Sequence, residues 1–140
     1  MRRWKSAQRG SAIVEFSFVA VLLMLVVFAG IEFDRMVLVY TAVAHSARAG
    51  VRYAIVHGSD RTGAGDAASG PLDQSAVIAK VQQFATGFLN TAVLNVVVQY
   101  PGNNKPGSVV KVTVTYPYDP IVALPLKVNI TSSTQGIIVF

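Results

Sequence analysis

Arg9-Gly10-Ser11-Ala12-Ile13-Val14-Glu15-Phe16, continuing as SFVAVLLMLVVFAGI through Ile31, is the stretch on which the reading of this 140-residue chain turns. From Ala12 to Ile31 it is apolar apart from Ser17 and one carboxylate, Glu15. As a helix it spans roughly 30 Å, the thickness of a hydrocarbon core, so the expectation is a transmembrane helix over 11–32. A buried core helix of a soluble domain is the competing reading, but a run apolar on every face is unusual in water.

The charges on either side orient the span. Arg2, Arg3, Lys5 and Arg9 crowd the first ten positions with no acid among them, and Glu32, Asp34 and Arg35 follow the span. By the positive-inside rule the amino terminus is expected in the cytoplasm and the carboxyl-terminal part outside the inner membrane. The formal charge of +5 is largely this cluster, because residues 11–140 carry eight basic and seven acidic residues. Nothing there makes a phosphate-binding face, and no nucleic-acid partner is expected. The hydrophobic content of 52%, charged content of 14% and mean hydropathy of +0.48 belong to a membrane chain rather than a small soluble domain. With no cysteine, a disulfide scaffold and a thiolate metal site are excluded.

An ordinary secretory signal has an apolar core of about 7–15 residues closely followed by a small-x-small site. Here the core is longer, and the nearest such site, Ala42-Val43-Ala44, comes only after three charged residues. Glu15 is the more informative departure. A carboxylate at the centre of a transmembrane helix costs about 2.5–3.5 kcal/mol, less near the edge, and such residues commonly mark function or a defined partner.

Gly10 separates the basic leader from the apolar run, and Glu15 is fifth from Ser11. The stretch RG-SAIVEF resembles the prepilin peptidase site of type IV pilins, where the bond after the glycine is cut and the fifth mature residue is glutamate. Phe16 after Glu15 is similar to the aromatic residue at that place in the tight-adherence (Flp) branch. Residues 30–54, GIEFDRMVLVYTAVAHSARAGVRYA, resemble the portion after the span in TadE-like minor pseudopilins, and VTVTYPY at 112–118 resembles their strand and tyrosine-proline turn. Two departures are Ala49 in place of the family's usual acidic residue and a terminal strand ending GIIVF. The resemblance implies a minor pseudopilin of a tight-adherence type IV pilus, trimmed of residues 1–10 between Gly10 and Ser11. Glu15 and Phe16 would serve assembly and recognition, and Arg2, Arg3, Lys5 and Arg9 would be the leader charges. Implied partners are a prepilin peptidase, other pilins or pseudopilins, the assembly platform and membrane lipid. The alternative is an unprocessed single-pass anchor whose outer domain binds a partner.

The expected fold is α+β and pilin-like. A stripe of Met36, Val37, Tyr40, Val43, Ala44, Ala47 and Val51 predicts that the helix continues beyond the membrane over 33–57, stopping at His57-Gly58-Ser59. Residues 58–140 then form a small exported domain. It begins with an exposed loop at 58–72, followed by a second helix from Gln74 to Leu89, capped by Asp73 and burying Val77, Val81, Phe84 and Phe88. Strands are predicted at 94–100 and 109–116 about a PGNNKPGS loop, then at Lys127–Ser132 and, separately, Gly136–Phe140. Val110, Val112, Val114 and Tyr116 share one face of the second strand. His45 reads as an exposed helix residue and His57 as a helix-end residue. Arg48 and Arg52, one turn apart, read as a solvated face. There is no HExxH, no GxSxG and no phosphate loop, so neither an enzyme, a cofactor, a metal nor a small-molecule substrate is expected.

Overall fold

The structure is a computed structural model that describes residues 5–61, 68–121 and 127–140, with side chains from Gly10 onward. Arg2 and Arg3 lie outside the described residues, as does the 62–67 part of the expected loop. The first element, α1, is one helix from Lys5 to Val56, so Gly10 lies within it. An apolar segment in lipid must satisfy its backbone polar groups internally, and an unbroken helix does so. From Ile13 to Phe33 its large apolar side chains are exposed.

Beyond the apolar run α1 changes character. Val43, Ala47, Val51 and Ala54 recur at helical spacing and are buried on the sheet and on α2, which spans Ser75–Ala85. Val37 and Tyr40, expected on this stripe, are exposed, and Val39 and Ser46 line its inner side instead. Each residue turns the helix by about 100°, so Val37 points well away from the face that carries Met36. Ser46 is accommodated because its hydroxyl donates to the Val43 carbonyl at 2.9 Å.

The helix α2 is shorter than the periodicity predicts. Gln74 is its cap residue, yet Asp73 still serves its start: one carboxylate oxygen accepts from the Ser75 amide at 3.0 Å and from its hydroxyl at 2.6 Å. These two bonds hold the Asp73 carboxyl below the usual carboxylate range. Val77, Val81 and Ala85 are buried, whereas Phe84 and Phe88 are exposed, contrary to expectation. The reason is the closeness of the two helices at Gly50. A Cβ built there would lie 2.5 Å from Val81 Cγ2 and 3.3 Å from Val112 Cγ1. Val81 and Val77 already fill that space, and Phe88 falls beyond the end of α2.

Three strands, β1 (Asn95–Gln99), β2 (Val109–Tyr118) and β3 (Val128–Ile137), form an antiparallel sheet in sequence order. Gly107, with φ of 87°, supplies the left-handed residue in the β1–β2 connection. Alternation in β2 sends Val110, Val112, Val114 and Tyr118 inward, each fully buried valine contributing roughly 1.5–3 kcal/mol. The outer face is polar, with hydroxyl pairs Thr113–Ser133 and Thr115–Thr131 at 3.1 Å.

The two separate terminal strands expected at Lys127–Ser132 and Gly136–Phe140 are instead one strand. All ten residues of β2 have partners along β3, from Val109↔Ile137 to Tyr118↔Val128, so the polar Thr131–Thr134 run is paired rather than turning. Gly136 is no breaker. It lies under α1, where a Cβ would come within 2.5 Å of Ile55 Cδ1 and 2.8 Å of Val51 Cγ1. The architecture is thus α+β: a long helix, a short helix and a three-stranded antiparallel sheet packed on the distal half of the first.

Candidate functional site

Gly10, Ser11, Glu15 and Phe16 lie on the exposed part of α1. Ser11 and Glu15 are one turn apart, both exposed, and Phe16 is 72% exposed. A Cβ at Gly10 would meet nothing within 4 Å, nor would one at Gly30. Ser17 donates to the Ile13 carbonyl at 2.8 Å, so its hydroxyl is satisfied inside the helix. Glu15, by contrast, has no hydrogen-bond or ion-pair partner among the described residues. Lys5 and Arg9 fall within α1.

Where α1 leaves the apolar run, the chain folds back on itself. The Tyr118 hydroxyl, at the end of β2, donates to Glu32 Oε1, with the Glu32 backbone carbonyl 3.4 Å away. Arg35 reaches the same carboxylate oxygen at 3.4 Å, and its guanidinium carbon lies 5.6 Å from the centre of the Tyr118 ring. The Ile121 amide donates to Glu32 Oε2 at 3.3 Å. One carboxylate therefore takes hydrogen bonds from its own helix and from the end of the sheet. Burial pushes the Tyr118 phenol above its usual range; the hydrogen bond to Glu32 adds to this and Arg35 opposes it.

This junction was missed as a unit in the sequence. Glu32 and Arg35 stood out as charges after the span, and Tyr116-Pro117-Tyr118 as a turn motif, but no one-dimensional pattern couples residues 86 apart.

The other candidates lie apart from it. His45, Arg48 and Arg52 are exposed on the distal half of α1. His57, just past the end of α1, is buried: its ring stacks on Tyr53 with centroids 3.7 Å apart, and Nδ1 lies 2.8 Å from the Tyr53 carbonyl oxygen. Among the described residues no three histidine, aspartate or glutamate side chains are grouped so as to hold a metal ion.

One helix, over Gly10–Val56, is long and apolar enough to cross a membrane, and its most apolar stretch is not buried inside the chain. A core helix of a soluble protein would be mostly buried. The potential signal-peptidase site Ala42-Val43-Ala44 is mid-helix, and Val43 is fully buried in the core.

Comparison with curated proteins gave no match, and comparison with solved structures gave none. A protein-family model described as TadE-like protein matches residues 10–52, so the chain is similar to that family over a segment holding Gly10, Glu15, the apolar run, Glu32 and Arg35.

Proposed function

We propose that the protein is a minor pseudopilin, cut by a prepilin peptidase between Gly10 and Ser11, that acts at the inner membrane in assembly of a tight-adherence (Flp-type) type IV pilus. The observation that carries this reading is Glu15: an exposed carboxylate on the apolar helix, without a hydrogen-bond or ion-pair partner among the described residues, five residues after Gly10 in a segment similar to TadE-like proteins.

The chemistry follows from charge at low dielectric. Cleavage removes the four leader charges and creates an amine at Ser11, one helical turn from Glu15. The pair forms either within one subunit or between staggered neighbours, and it offsets part of the desolvation of both groups. A buried pair of this kind sets register more than it adds stability. Ala20, Ala29 and Gly30 allow close helix approach in lipid, and the space around Gly30 is open. A cut at Ala42-Val43-Ala44 would instead sever the helix on which the sheet packs.

The test is the amino-terminal residue of the protein purified from membranes and sheared filaments. Ser11 is expected, and Gly10→Leu should leave the full-length form and abolish piliation. Intact Met1 in the wild type, or normal trimming in Gly10→Leu, would favour the unprocessed anchor instead. In unlysed spheroplasts, external protease should digest the domain beyond Gly58; protection until lysis would reverse the topology.

A further inference from the structure

Beside the Glu32 junction lies a groove of about 820 Å³ whose walls include Leu25 and Phe28 of the span and Phe33, Pro120, Ile121 and Val128 above it. Its depth in the membrane can be worked out from the helix. With α1 rising about 1.5 Å per residue, Leu25 lies roughly 9 Å below Ile31, well inside the hydrocarbon. The headgroup layer extends about 5–8 Å beyond the hydrocarbon on each side, which places Glu32 to Met36 at headgroup depth. Tyr118 and Ile121 are hydrogen-bonded to Glu32, so the end of the sheet is held at that same depth.

The exposed side chains suit that position. Phe33 is 65% exposed, Ile121 72% and Val128 42%, each beside the span. In water they would be costly; next to acyl chains they are at home. On the membrane-spanning reading, the lower wall of the groove, at Leu25 and Phe28, faces hydrocarbon rather than water. Its lining is continuous with the lipid-facing surface of α1, an interface the span already requires.

We infer that this groove seats an acyl chain of an outer-leaflet phospholipid, and that the exported domain rests on the bilayer through Phe33, Ile121 and Val128. The Glu32–Tyr118 contact sets the domain's height, and lipid in the groove limits its rocking about α1. This inference rests on the membrane-spanning reading of residues 11–32, and its test separates the two.

The chain has no cysteine, so one introduced cysteine takes a single environment-sensitive fluorophore. Full-length Ile121→Cys, Leu22→Cys and Lys111→Cys would each be labelled and placed in vesicles of phosphatidylethanolamine and phosphatidylglycerol. These would contain lipids with a nitroxide near the headgroup or near the chain end. Ile121→Cys should be quenched several-fold more than Lys111→Cys, mainly by the shallow nitroxide, and Leu22→Cys by the deep one. Quenching at 121 no greater than at 111, with 22 still quenched, would overturn the lipid seat alone. Blue-shifted emission at 121 without nitroxide quenching would mean that protein fills the groove, and would also overturn it. Absence of quenching at both 22 and 121 would remove the membrane span and this inference together.

Discussion

The Glu32–Tyr118 contact can be tested by Tyr118→Phe and Glu32→Gln, alone and combined. Tyr118 is 4% exposed, so Phe keeps the ring packing and removes only the hydroxyl. A hydrogen bond to a charged acceptor contributes about 1.5–3 kcal/mol. Here the lower end applies, because the Glu32 side chain is 18% exposed and keeps Arg35 at 3.4 Å and the Ile121 amide at 3.3 Å. Tyr118→Phe should therefore cost about 1.5 kcal/mol, roughly a tenfold rise in local opening. The double variant should fall short of the sum of the singles by about 1 kcal/mol, since both remove the same bond. Hydrogen exchange on the full chain in lipid vesicles reads this directly. Amides where Tyr118 pairs with Val128 should exchange about tenfold faster, while those near Val109↔Ile137 at the far end should change little. A coupling within the usual additivity error of about 0.3–0.5 kcal/mol would refute the view that this bond fixes the domain to the helix.

Gly50→Ala should be destabilising although alanine favours helices by about 1 kcal/mol, because the added methyl meets fully buried Val81 and overpacking costs about 1–3 kcal/mol; a clear gain in urea stability would contradict the tight gap. Gly30→Ala meets open space, so it should leave the isolated chain at least as stable as before, while weakening co-purification with partner pilins that pack on that face. Glu15→Ala and Glu15→Gln should both insert and be cleaved, yet lower piliation, since even about 1.4 kcal/mol is tenfold in an association constant; wild-type pilus numbers in both would reject the pairing mechanism. Tyr118 and Tyr100 both have raised phenol pKa values, chiefly from burial, so they should be late to ionise in an absorbance titration. Their contribution is complete below the ordinary tyrosine value near 10 and is lost as pH rises through the folded values. The carboxyl of Asp73 is lowered, so its contribution holds above the ordinary carboxylate range and is lost as pH falls through the depressed value; Asp73→Ala should flatten that acid limb of the unfolding curve.

Much of this architecture was legible in one dimension, for local reasons. The length of the apolar run, the leader charges and the place of Glu15 depend on composition and position, and α1 ends at Val56 as its stop signal implies. The inward set Val110, Val112 and Val114 follows from strand alternation. Three other features depend on what lies opposite. Phe84 is turned outward because Val81 already fills the gap at Gly50. Residues 128–137 stay one strand because the ten residues of β2 offer a partner to each, although Ser and Thr followed by Gly look like an interruption. Glu32, Arg35 and Tyr118 become one site only when the sheet docks on α1. Hydrophobicity and periodicity act between near neighbours along the chain and can be read there, whereas packing volume and hydrogen-bond partnership between distant segments exist only once the chain has folded.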